Sequence, residues 1–190
     1  MSAGQDGAMI LSTPRLALRE LTADDLPALR AILQDAETMH AYEGAFDEPM
    51  VQAWLARMHD RYREDGFGLW AVELRETEEM IGQCGLTMQH ILDQDVIEVG
   101  YLFQRAFWHR GYAVEAAAAC RDHAFDMLGA ERVYAQIRDT NIASMNVAIR
   151  LGMTVRGRFI KHYRGVEMPH LAFAVDRDER TLTARTDRRR

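Results

Sequence analysis

Residues 108–113, Trp-His-Arg-Gly-Tyr-Ala, put two basic side chains and one glycine directly ahead of an alanine-rich stretch, Glu115-Ala116-Ala117-Ala118-Ala119. Where a helix opens at such a junction, its first amides have no intrahelical partner and sit at the positive end of the macrodipole. That is a place for an anion. Consecutive amides from His109 to Ala113 would wrap a diphosphate, and Arg105, His109 and Arg110 would add charge near its phosphates. A P-loop would need Gly-Lys-Ser/Thr and a dinucleotide fingerprint two further glycines at set spacing, and neither pattern is present. Glu115, an acid in the first turn, reads as a partner of the helix dipole.

The elements that must present this loop follow from periodicity. Arg15–Leu21 alternates with period two and predicts a half-buried strand. Thr22-Ala23-Asp24-Asp25 opens a helix with a capping-box-like start, and a second helix runs from about Glu48 to Glu64. Gly66–Leu74 and Met80–Ile91 read as antiparallel strands joined through Arg75–Glu79, followed by a central strand over about Val96–Phe103. Ala113, Ala116, Ala117, Cys120 and Ala124 share one face of a helix from Tyr112 to Leu128, stopped by Gly129. Small side chains let that helix approach a sheet closely. Arg132–Arg138 predicts a strand and Asn141–Arg150 a helix ended by Gly152. Thr154–Lys161 and Val166–Val175 predict a hairpin across Arg164-Gly165.

With 190 residues, 48% hydrophobic and 27% charged, the chain has the apolar content for one domain. We place it at 12–175, with 1–11 as a flexible start and 176–190 as a charged, disordered tail. A net charge of −6 argues against nucleic acid and anionic membranes and tilts toward cationic partners such as amines. The arginines near the end of the chain read as a solvated tail. Cys84 and Cys120 lie within apolar patterns as reduced core residues, and no metal-ligand spacing includes them. No charged segment followed by an apolar run precedes residue 9, and no stretch of about 18 apolar residues occurs. The expectation is a cytoplasmic protein, with no metal.

The order of elements resembles the GNAT acyltransferase fold over nearly all of residues 12–175. Thr13-Pro14-Arg15-Leu16, Ile81-Gly82, Glu98-Val99-Gly100-Tyr101, Gly111-Tyr112-Ala113, Asn141-Ile142-Ala143-Ser144 and Leu151-Gly152-Met153 resemble the branch containing ribosomal-protein N-terminal alanine acetyltransferases. The general acetyl-CoA signature has Gln or Arg, two residues, Gly, one residue, then Gly or Ala. Gly111 and Ala113 fill the last two places and Trp108 stands in the first, a departure shared by that branch. The resemblance implies an α+β (mixed α/β) fold, a central mixed, largely antiparallel twisted sheet of about seven strands flanked by about four helices. It also implies acetyl-CoA as cosubstrate and possible homodimers.

It further implies that main-chain groups of Tyr101, Leu102 and Phe103 bond the pantetheine arm. Trp108, His109, Arg110, Gly111, Tyr112 and Ala113 would hold the diphosphate, and Asn141 would lie against the cofactor. An attacking amine must be neutral, so a base or water chain is useful. Glu98 matches the family's glutamate, on the strand face opposite Ile97, Val99, Tyr101 and Phe103; its alternative is an exposed alternation residue or a substrate-charge binder. His40, Glu43 and His90 stand in reserve. Ser144 is the candidate acid for the leaving thiolate, because many relatives use a tyrosine seven residues after the asparagine and Ala148 stands there; solvent is the other donor. Read as structure alone, Asn141 is a helix N-cap.

The acceptor would be bound by the first two helices, the loop around His40–Asp47 and the last hairpin, including Lys161, His162, Tyr163, Arg164 and His170. Trp54, Trp70, Tyr42 and Phe46 are either its lining or core. It is either a protein N-terminus or a small amine. Direct transfer in a ternary complex needs no enzyme nucleophile. A CoA-binding sensor without turnover is the alternative reading.

Overall fold

The start of the chain shows why these residues make this fold. Strand β1 spans Met9–Ser12 and pairs antiparallel with β2, Leu16–Arg19, where Leu16 and Leu18 are fully buried and Ala17 and Arg19 half-buried. In the computed structural model, which describes residues 9–180, α1 (Leu26–Leu33), α2 (Glu48–Glu64), β3 (Leu69–Leu74), β4 (Met80–Ile91), β5 (Gln94–Phe103) and α3 (Tyr112–Asp126) follow. Then come β6 (Arg132–Arg138), α4 (Ile142–Arg150), β7 (Thr154–Tyr163) and β8 (Val166–Asp176). The eight strands form a mixed sheet in which β1 and β2, β2 and β3, β3 and β4, β6 and β8, and β8 and β7 pair antiparallel and β5 runs parallel to β6. The predicted α+β architecture is therefore present, with one strand more than the seven expected. The extra strand is β1, too short to show alternation and with Met9 62% exposed.

The chain divides into two compact units. One comprises residues up to Thr87 with Gly100–Cys120, the other Met88–Val99 with residues from Arg121 onward. In the first, the strands run β1-β2-β3-β4. Leu29, Ile32 and Leu33 of α1 and Val51, Trp54, Leu55 and Met58 of α2 close over Leu69, Ala71 and Met80. Each such side chain contributes about 1.5–3 kcal/mol on burial. The predicted capping box is met as a 3-10 turn, Ala23–Asp25, where the Thr22 amide donates to Asp25 Oδ2 at 2.7 Å. Arg19 then binds Asp25 and Glu73 together, joining that turn to β3.

In the second unit the order is β5, as far as Val99, then β6-β8-β7. β6 pairs with β8 from Arg132↔Asp176 to Arg138↔His170, and β7 turns into β8 through Arg164 and Gly165, both at positive φ, as a two-residue hairpin requires. Ile91, Val96, Tyr134, Ala172 and Ala174 form its core. Residues 177–180 make a helical turn instead of starting a solvated tail, because Arg177 Nη2 donates to the carbonyls of Phe125 (2.7 Å) and Ala130 (2.9 Å). Residues 1–8 and 181–190, most of the expected flexible start and tail, lie outside the described residues.

Candidate active site

The helix predicted after the cationic loop begins at Tyr112, and its first intrahelical bond runs from the Glu115 amide to the Gly111 carbonyl at 3.1 Å. The amides of Tyr112, Ala113 and Val114 precede that bond, at the positive end of a 15-residue helix. Two left-handed residues shape the approach. Gly111 has φ +79 and His109 φ +61, so the chain turns twice within three residues. His109, Arg110 and Gly111 are exposed. Arg105 is engaged by Asp35, with Nη2 3.1 Å from Oδ2.

Trp108 has a structural part in this loop. Its indole Nε1 donates to the Phe103 carbonyl at 2.8 Å, and its amide to the Arg105 carbonyl at 3.2 Å. The tryptophan thus ties the loop to the last residue of β5.

Thr13 and Arg15 hold the other end of the loop. Glu115 Oε1 accepts from Thr13 Oγ1 (2.7 Å) and from the Arg15 amide (3.0 Å), and Oε2 accepts from Arg15 Nε (2.6 Å). Arg15 Nη1 also donates to the Arg110 carbonyl at 3.0 Å, and its guanidinium lies 4.5 Å from the centre of the Tyr112 ring. Burial pushes the Glu115 carboxyl up, but the bonds from Thr13 and Arg15 outweigh it and hold the carboxyl below its ordinary range. A helix-dipole reading of Glu115 omits this clamp. Its signal in sequence is the Thr13-Pro14-Arg15 motif, which has no evident chemistry when read alone.

Tyr101, Leu102 and Phe103 complete β5, with Phe103 buried. A Cβ on Gly82 would fall 2.5 Å from the Phe103 ring, so Gly82 is what lets that ring seat. At Gly100 the nearest neighbour of a Cβ would be Leu69 Cδ2, at 3.2 Å.

In the second unit, Glu98 is 9% exposed and sits opposite Tyr134 in the parallel register. Its carboxylate accepts from the Gln136 amide (Oε1, 3.1 Å) and from Gln136 Nε2 (Oε2, 3.0 Å), while Gln136 Oε1 accepts from Lys161 Nζ at 3.1 Å. An exposed alternation residue is excluded, because Val96 on the same face is buried too. Gln136 was not foreseen; its signal is one amide side chain in an otherwise apolar run, Val133–Ile137.

From Gln136, β6 leads in five residues to Asn141, which caps α4: its Oδ1 accepts from the Ser144 amide at 3.1 Å. Ser144 is half-buried, and Ala148, where many relatives carry the tyrosine, is fully buried.

The reserve bases are placed less favourably. His40 Nδ1 donates to the Glu37 carbonyl at 2.8 Å, Glu43 has φ +60, and His90 is exposed near the end of β4 with Nδ1 2.9 Å from Asp95 Oδ1. Tyr42, Phe46 and Trp54 pack edge to face, and Trp70 is core. Cys84 and Cys120 are buried with sulfurs 3.7 Å apart, and burial pushes the Cys120 thiol up. Among the described residues, no group of three or more His, Cys, Asp or Glu is placed to hold a metal, and no helix is long and apolar enough to cross a membrane.

Comparison with known proteins supplies the class. The acetyltransferase (GNAT) domain model matches residues 15–154. An uncharacterized protein of Bacillus subtilis (strain 168), YkkB, is 37% identical over 144 residues, 75% of this chain and 84% of that one. The uncharacterized N-acetyltransferase YoaA of the same organism is 30% identical over 152 residues, 78% of this chain and 84% of its own. Among solved structures, RimL, a ribosomal L7/L12 alpha-N-protein acetyltransferase, shares the fold with TM-score 0.76 over 93% of this chain and 98% of that one, at 16% identity. The chain belongs to the GNAT acetyltransferase family and is an N-acetyltransferase.

Proposed function

We propose that the protein moves the acetyl group of acetyl-CoA directly to a primary amine within a ternary complex, the acceptor being a protein N-terminus or a small amine. The observation that carries this reading is the clamped loop: Gly111 and His109 turn the chain so that the Tyr112 to Val114 amides open a helix, while Arg15 and Glu115 hold that opening still. Such an opening suits the diphosphate. Charge from His109 and Arg110 supports it, and main-chain groups of Tyr101 to Phe103 would take the pantetheine arm.

In this reading Glu98 accepts the proton of the attacking amine, either directly or through water, and the Gln136 and Lys161 contacts orient its carboxylate. The amine nitrogen bonds the thioester carbon, the C–S bond breaks, and the thiolate takes a proton from Ser144 or solvent. An amide of the Tyr101–Phe103 stretch would stabilise the intermediate oxyanion, an effect worth about 3 kcal/mol when preorganised. Asn141, as cap, fixes the turn that carries Ser144. The name of RimL supports a protein terminus as one acceptor class.

The test is thiol release from acetyl-CoA with peptide N-termini, polyamines, aminoglycosides and amino acids, on wild type and on Glu98→Gln. Turnover with at least one amine, slowed about 100-fold or more in the variant with acetyl-CoA binding kept, is expected. Tight CoA binding with no turnover on any amine would replace the enzyme reading by a sensor.

A further inference from the structure

Gln83 lies in β4, fully buried, and its Oε1 accepts from the Trp54 indole Nε1 at 2.9 Å. An indole nitrogen can only donate, so this bond fixes the amide with its oxygen toward Trp54 and its nitrogen away. Among the described residues, Nε2 has no hydrogen-bond partner. Burying such a donor unpaired costs about 1–3 kcal/mol, and an apolar side chain of similar size would avoid that. The group therefore calls for a use.

Its surroundings say which. Gln83 lies opposite Ala71 on β3. The Gln104 amide donates to the Ile81 carbonyl at 2.9 Å, and two residues further along that antiparallel pairing Gln83 faces Leu102. Ala71 and Leu102 both pack into the cluster that contains Trp54 and Phe46, with Tyr42 half-buried against it. The side chain that carries the orphan donor is thus bonded to one of three edge-to-face aromatic rings, whose cluster also includes Leu102 of the β5 stretch assigned above to the pantetheine arm.

We infer that Gln83 determines acceptor specificity: held by Trp54, its Nε2 donates to a carbonyl or carboxylate oxygen next to the attacking amine. The acceptors are then amino-acid-like or peptide amino termini, and amines without such an oxygen are poor substrates. This rests on the acetyltransferase reading. A site built to donate to a substrate oxygen discriminates strongly against analogues lacking it, because the buried donor is then left unpaired.

The experiment compares alaninamide and a tripeptide with a free amino terminus against propylamine and spermidine, in wild type, Gln83→Leu and Trp54→Phe, with acetyl-CoA affinity measured separately by calorimetry. Wild type should favour the oxygen-bearing amines, and Gln83→Leu should raise their KM about tenfold, with propylamine, spermidine and acetyl-CoA unchanged. Trp54→Phe keeps Gln83 but frees its amide to turn, and should lose selectivity in the same direction even where the leucine variant fails to fold. Turnover with unaltered selectivity in both variants overturns the inference and leaves the acetyltransferase reading intact. Acetyl-CoA binding without turnover of any amine by wild type overturns both.

Discussion

Arg15 Nε lies 2.6 Å from Glu115 Oε2, joining residues one hundred positions apart at the mouth of the cationic loop. Arg15 is 48% exposed, so the ion pair alone contributes little to stability, about 1 kcal/mol at most. Its value is positional, since the same guanidinium also holds the Arg110 carbonyl.

Arg15→Ala should therefore raise the KM for acetyl-CoA about tenfold while leaving the acceptor KM and the melting temperature close to wild type. Glu115→Gln keeps one acceptor oxygen and should give a smaller change. Steady-state kinetics with each substrate varied in turn separates the cases. Equal shifts in both KM values would show general loosening instead of loop control.

Asn141→Ala removes the cap of α4 and should cost about 1 kcal/mol, read as a lower melting temperature. Ser144→Ala should leave the melting temperature alone, because the cap bond uses the Ser144 amide and not its hydroxyl. It should instead lower kcat about tenfold, less than a strongly basic leaving group would show, since a thiolate also takes a proton from solvent. An unchanged kcat across pH assigns that proton to solvent.

The parts legible in the sequence were those set by local periodicity and turn chemistry. Tyr112 as a helix start and Arg164-Gly165 as a turn need only their neighbours, and both are where expected. β1 was missed because a four-residue edge strand is defined by its partner β2, not by its own pattern. The same limit hid the site's supports. Glu115 meets Thr13 and Arg15, Glu98 meets Gln136, and Gln83 meets Trp54 only through long-range folding, which no local pattern reports. Trp108 looked like a departure from a motif until its indole was seen on the Phe103 carbonyl.

That carbonyl gives a further test. A methyl at Gly82 would meet Phe103 Cδ1 at 2.5 Å, and Phe103 is 5% exposed with little room to move. Gly82→Ala should destabilise the fold by about 1–3 kcal/mol and, by shifting Phe103 and the Trp108 bond, raise the KM for acetyl-CoA. Adding Phe103→Leu should recover part of the lost stability. A double variant no more stable than Gly82→Ala would place the strain elsewhere.

His170 is buried in β8, with Nδ1 2.9 Å from the Met168 carbonyl and its ring 5.7 Å from Phe159. Burial is the main cause that lowers its pKa below the ordinary 6.5; the Met168 carbonyl opposes this, Lys161 and Arg138 add to it, and Asp139 opposes it. The native state thus prefers the neutral ring. Its contribution to stability is complete above the unfolded pKa of 6.5 and is lost as pH falls below that value through the folded one. The neutral ring donates from Nδ1, a bond that His170→Asn can imitate from Nδ2. Denaturation at about pH 7.5 and about pH 5.5 should show wild type losing more stability than the asparagine variant over this interval. Carboxylates titrate alike in both proteins, so the difference isolates the imidazole. Identical losses would mean that His170 keeps an ordinary pKa in the folded state.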